Sequence, residues 1–130
     1  MDPILFYLDD DYEEFILLNE CFKTIHSCVK INYFSTLDAL LDDKRSPCAF
    51  LIDLNMPIPG GEVICTLNQI DKFRGVPKLI LSTSRDPSEI NKCYILGAEA
   101  YFVKPFDMND FITIASEIDK ICCRKVKEVN

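Results

Sequence analysis

No apolar run in these 130 residues approaches the length needed to cross a bilayer, and the start, Met1-Asp2-Pro3, lacks the basic opening of a secretory signal. A cytoplasmic location is therefore expected. Histidine is almost missing: His26 stands alone, near the end of the first expected helix, and is read as a surface residue that the helix dipole favours. The seven cysteines show neither CxxC nor Cys/His metal spacing. Their odd number reads as reduced apolar filler, and local geometry opposes a bridge between the neighbours Cys122 and Cys123. Positive charge is short as well. The net charge of −7 argues against unaided nucleic-acid binding. Lys120, Arg124, Lys125 and Lys127 form a small basic tail, which suits the carboxyl end of a helix better than a binding patch. Repeats, low-complexity segments and internal linkers are absent. What is present is a chain that is 48% apolar, enough for one core in one domain over 1–130, with its body at about 3–125.

The apolar residues fall into alternating patterns. Ile4 to Leu8 is a short apolar run, read as a buried strand, and Asp9-Asp10-Asp11 follows it at once. Phe15, Leu18, Phe22 and Ile25 recur at helical spacing through about Ser27. Val29 to Phe34 reads as a second strand. Ser35 opens a Ser-x-x-Asp capping pattern before Leu37, Leu40 and Leu41. Ala49 to Ile52 runs uninterrupted into Asp53, as a strand covered on both faces does, and Pro57 and Gly60-Gly61 lie beyond its end. A helix follows from Gly61, then a loop over Lys72 to Pro77 and a strand over Lys78 to Leu81. Asp86-Pro87-Ser88-Glu89 is a strong helix start, and Gly97 a natural stop. Ala100 to Val103 is the fifth strand, and Asp107 caps the last helix. Strand and helix alternate five times, which predicts an α/β fold of (βα)5 type: a five-stranded parallel sheet, doubly wound, with helices on both faces.

In such a sheet ligands bind beyond the carboxyl ends of the strands. Asp9 and Asp10 end the first strand, Asp53 the third, Ser82-Thr83-Ser84 the fourth, and Lys104 the fifth. Each has an ordinary explanation alone; together they occupy one edge. Two like charges about 4 Å apart repel by roughly 4 kcal/mol at an effective dielectric near 20. Three carboxylates therefore need a counter-charge. Lys104 supplies one, and a hard divalent ion with oxygen ligands, such as Mg²⁺, fits the remainder. A metal, a lysine and a hydroxyl around a carboxylate suit phosphoryl transfer to that carboxylate. Asp53 is the expected nucleophile, because it ends a central strand alone.

The ordered set Asp9-Asp10, Asp53-x-Asn55-Met56-Pro57, a hydroxyl after strand four, and Tyr101-x-x-Lys104-Pro105-Phe106 resembles the receiver domain of two-component response regulators, the relatives of the chemotaxis regulator. The resemblance covers nearly the whole chain and implies a flavodoxin-like strand order 2-1-3-4-5. By position it implies Asp53 as phosphoacceptor. It implies Mg²⁺ held by Asp10, Asp53 and the Asn55 carbonyl, with Asp9 helping through water. It also implies Lys104 on the phosphoryl group, Ser82 as switch hydroxyl, Tyr101 as switch aromatic, and a cis Lys104–Pro105 bond. Thr83 departs from the family's usual alanine or glycine and is expected to restrict access to the phosphoryl group; Gly60 stands where many relatives have aspartate, and no effect is expected. The implied partners are a sensor histidine kinase or phosphotransfer protein and a downstream protein of unknown identity. Neither nucleic acid nor membrane is expected, and a phosphorylation-dependent dimer is compatible. Such a protein assists its own phosphorylation and dephosphorylation without turning over an outside substrate.

Three rival readings share parts of this pattern. A flavodoxin-type FMN binder needs a hydroxyl- and glycine-rich loop after strand one, where this chain has three aspartates. A Mg²⁺-dependent phosphatase resembles Asp-x-Asp at its nucleophile, and Asn55 cannot serve as the general acid. A degenerate receiver, never phosphorylated, conflicts with the full set of site residues. With the last expected helix ending close to Asn130, both a stand-alone regulator and a piece of a longer protein remain open.

Overall fold

The computed structural model describes the backbone of residues 2–129 and side chains through Arg124, so the side chains of Lys125 and Lys127 in the expected basic tail lie outside what is described. The element order is β1 (Ile4–Leu8), α1 (Tyr12–Thr24), β2 (Lys30–Phe34), α2 (Leu37–Asp42), β3 (Ala49–Asp53), α3 (Gly60–Asn68), α4 (Asp71–Arg74), β4 (Lys78–Ser82), α5 (Pro87–Ile95), β5 (Ala100–Val103) and α6 (Met108–Val129). The strands form one parallel sheet in the order β2-β1-β3-β4-β5. This is the expected doubly wound arrangement.

The period-two geometry of a strand sends alternate side chains to opposite faces, and here both faces are covered. Leu5, Tyr7, Ala49 and Leu51 point to the side packed by Leu18, Cys21 and Phe22 of α1 and Phe111, Ala115, Ile118 and Cys122 of α6. Phe6, Leu8, Phe50 and Ile52 point to the side packed by Leu40 of α2, Val63, Ile64 and Leu67 of α3, Phe73 of α4 and Cys93 of α5. On that second side Phe50 meets Phe6 and Phe73 edge-on, with ring centroids 5.9 and 5.0 Å apart. Edge-to-face pairs of this kind contribute about 0.5–1.5 kcal/mol each beyond their area.

Several boundaries differ from the sequence reading, each for a local reason. The residue that caps α2 is Thr36, whose hydroxyl accepts from Ala39 N at 3.2 Å, rather than Ser35. The stretch before β4 is not all loop. It holds the single turn α4, whose carbonyls at Phe73 and Arg74 accept from the buried Lys78 ammonium at 2.5 and 3.0 Å. A chain that turns this tightly needs those carbonyls satisfied, and Lys78 does it from inside. Helix α1 stops at Thr24, because His26 takes a left-handed φ of 56° and closes a Schellman pair: His26 N donates to Lys23 O and Ser27 N to Phe22 O. Gly97, at φ 115°, closes α5 in the same way. His26 is exposed, as expected. The cysteines are all free, but Cys28 and Cys65 are exposed and so are not core filler. All peptide bonds of the described residues are trans, Lys104–Pro105 included. Gly60 is buried, and a Cβ there would fall 1.9 Å from Leu54 Cδ2: the side chain of Leu54 fills the room that glycine leaves. Among the described residues no helix is long and apolar enough to cross a membrane.

Candidate functional site at the carboxyl edge of the sheet

Register assembles the site. Strand β1 pairs with β3 as Leu5↔Ala49 and Tyr7↔Leu51, and the same register carried two residues further sets Asp9 beside Asp53. Strand β4 pairs with β5 as Ser82↔Val103, and Lys104 N donates to Ser82 O at 2.7 Å just past that pair. Carboxylate oxygens of Asp9, Asp10 and Asp53 come within 4.8 Å of one another. Asp9 and Asp53 are buried, whereas Asp10 is exposed.

The two buried carboxylates are held by different donors. Asp9 Oδ2 accepts from the buried Tyr7 hydroxyl at 2.5 Å, and its Oδ1 from Asp11 N at 2.9 Å. Asp53 Oδ1 accepts from Asn55 N at 3.0 Å. Lys104 reaches back over the edge, its Nζ 3.5 Å from Asp53 Oδ1, 3.9 Å from Asp9 Oδ2 and 3.4 Å from Glu14 Oε1. Burial opposes the Lys104 charge, but the carboxylates of Asp53, Glu14 and Asp9 outweigh it and raise its pKa above the ordinary lysine value. Burial, aided by Asp53, lifts Asp9 to about 6, although the Tyr7 hydroxyl works the other way. Burial and the neighbouring Asp9 keep the Tyr7 phenol protonated far above its usual range.

The hydroxyl side of the edge is equally ordered. Ser82 is buried, and its Oγ accepts from Ser84 N at 3.1 Å. The Tyr101 hydroxyl donates to Ser84 O at 2.9 Å, so the half-buried ring is tied to the loop after β4. Thr83 is exposed, and its Oγ1 accepts from Asn55 Nδ2 at 3.4 Å. Every residue expected at the site therefore lies at this edge. Tyr7 and Glu14 are additional. Tyr7 was hidden in the apolar run of β1. Glu14 reads as an ordinary acid in the first turn of a helix, where it complements the dipole; the available signal was its place four residues after Asp10.

Three hard oxygen donors clustered within reach of one another make a suitable nest for a divalent cation, and no softer ligand is among them. No family model matches the chain. The probable methanogenesis regulatory protein FilR2 of Methanothrix harundinacea is 24% identical over 127 residues, 90% of this chain and 82% of that protein. The Arabidopsis thaliana two-component response regulator ARR16 is 31% identical over 75 residues, 57% of this chain but only 46% of that protein. Among solved structures, response regulator RPA3017 of R. palustris superposes with a TM-score of 0.81 at 26% identity, covering 89% of this chain and 90% of its own. In sequence and in fold this chain is similar to the receiver domains of two-component response regulators. The fold of the receiver is shared with the phosphorylated cyanobacterial phytochrome response regulator RcpA, with a TM-score of 0.83 at 20% identity over 95% of each chain.

Proposed function

We propose that this receiver accepts a phosphoryl group from a sensor histidine kinase or phosphotransfer protein onto Asp53, with Mg²⁺, and thereby switches a protein-interaction surface. The observation that carries the reading is the placement of Lys104 Nζ 3.5 Å from Asp53 Oδ1, beside a cluster of three carboxylates at one sheet edge. Asn55 N and Lys104 both address Oδ1 of Asp53, which leaves Oδ2 to attack phosphorus in line. The new bond is Oδ2–P; the bond that breaks joins phosphorus to the donor, which keeps the electron pair. Lys104 and the Ser82 hydroxyl then bind oxygens of the transferred group. Asp10, Asp53 and the Asn55 carbonyl would hold the cation, with Asp9 beside them, and the cation would neutralise charge on the phosphoryl oxygens. Asp9 has less freedom to ligate directly, because Tyr7 and Asp11 already occupy both its oxygens. The receiver assists its own modification and turns over no outside substrate.

Incubation with a small acyl phosphate and Mg²⁺ should add one phosphoryl group, read by intact mass. Asp53→Asn should abolish the addition. Asp11→Asn, which keeps a capping side chain on α1, should leave it in place. Labelling that survives in the Asp53 variant would sink the assignment.

A further inference from the structure

Helix α1 starts beside the acidic edge, and its third residue, Glu14, turns inward over that edge. Its Oε1 is 3.4 Å from Lys104 Nζ, as close as Asp53 at 3.5 Å and closer than Asp9 at 3.9 Å. The other oxygen, Oε2, is buried and has no hydrogen-bond partner. A buried carboxylate oxygen left unpaired is costly, so the inward pose is held by the contact with the lysine. Complementing the helix dipole does not require it, since Glu13 in the same turn does that from an exposed position.

Lys104 has one ammonium and three carboxylates around it. A phosphoryl group on Asp53 brings more negative charge and calls on the same ammonium. Resting on the phosphoacceptor reading above, we infer that Glu14 is a positioning residue that holds Lys104 in the unmodified protein and releases it when Asp53 carries a phosphoryl group. The released carboxylate has a place to go. Glu14 lines an open cavity of about 470 Å³, together with Asp11, Glu13, Leu17, Phe106 and Met108, and turning into it would expose the now buried Oε2 to water. The first turn of α1 and the mouth of this cavity therefore report the state of Asp53.

Beryllofluoride, a non-covalent phosphoryl mimic, tests this at saturating Mg²⁺, with tyrosine emission as the readout in a chain that has no tryptophan. Glu14→Gln should bind the mimic roughly three- to tenfold more tightly than wild type, the range set by one partly buried charge contact. Glu14→Ala should show the same gain. Glu13→Gln removes an equal charge one residue away and should change affinity less than about twofold. Equal affinity in wild type and both Glu14 variants overturns the inference, as does an equal gain in Glu13→Gln, which would reduce the effect to net charge. If wild type and Asp53→Asn alike fail to bind the mimic, the phosphoacceptor reading itself falls and the inference with it.

Discussion

Thr83 stands exposed at the mouth of the site, its hydroxyl engaged by the Asn55 amide. Hydrolysis of a phosphoryl group on Asp53 needs a water in line with the bond, approaching from solvent. A β-branched side chain at the mouth has little freedom to swing aside, and in-line geometry tolerates little obstruction. Because the Thr83 oxygen already accepts from Asn55, it is poorly placed to aim the water. Thr83→Ala should shorten the phosphorylated lifetime roughly threefold or more, whereas Thr83→Val, of the same shape, should hold it within about twofold. Radiolabel decay in the presence of Mg²⁺ measures both. Lengthening in both variants would make the hydroxyl an agent of hydrolysis and end the steric account. At this scale the acidic residues, Lys104 and Ser82 were legible because each closes an apolar strand at the same edge. Tyr7 and Glu14 were not. One looks like core and the other like helix surface, and only the inward turn of each side chain brings it to Asp9 and Lys104.

The loop between β4 and α5 is a chain of short-range hydrogen bonds. Ser82 Oγ accepts from Ser84 N, Ser84 O accepts from the Tyr101 hydroxyl, Ser84 Oγ accepts from Asp86 N, and Asp86 Oδ1 accepts from Ser88 N to cap α5. A phosphoryl oxygen that takes a hydrogen bond from Ser82 pulls on the first link, and the pull is felt at Tyr101 and at the start of α5. Under the proposed function this loop is the element that switches, with one end in the site and the other on the α5–β5–α6 face. Ser82→Ala should still allow phosphorylation but should cut the beryllofluoride-induced amide shifts on that face by at least about half. Identical shifts in wild type and variant would refute the coupling. Elements with strong periodicity, such as α1 and β3, were legible from sequence. The turn of α4 was not, because four residues carry no helical period and its support comes from a buried lysine that reads as the start of a strand. Nor was the end of α1, since a left-handed histidine does the work that glycine does after α5.

At the scale of the whole molecule, the fold carries a standing electrostatic cost at its carboxyl edge. Asp9 and Asp53 are buried together, and Lys104 cannot offset both of them along with Glu14. Burial, with Asp53 beside it, raises Asp9 to about 6 from an ordinary value of 3.8. A carboxyl with a raised folded pKa stabilises the fold only while it is protonated. That contribution is complete below about pH 4 and is lost as pH rises through about 6. Without divalent cations, then, stability should fall between about pH 4 and 6, and the fall should be shallower in Asp9→Asn. A cation that binds only the folded edge replaces the lost proton. At a hundredfold excess over its Kd it adds about 2.7 kcal/mol, or roughly 10 °C in midpoint for a domain of this size. A proton on Asp9 and a cation beside it relieve the same crowding of negative charge, so the gain from millimolar Mg²⁺ should be larger at pH 7.5 than at pH 5.5. Thermal melts at both pH values, with and without Mg²⁺, measure it, and Asp10→Asn should lose most of the gain at pH 7.5. An equal gain at both pH values, unaffected by Asp10→Asn, would place the cation elsewhere and leave the crowding of carboxylates at this edge without its partner.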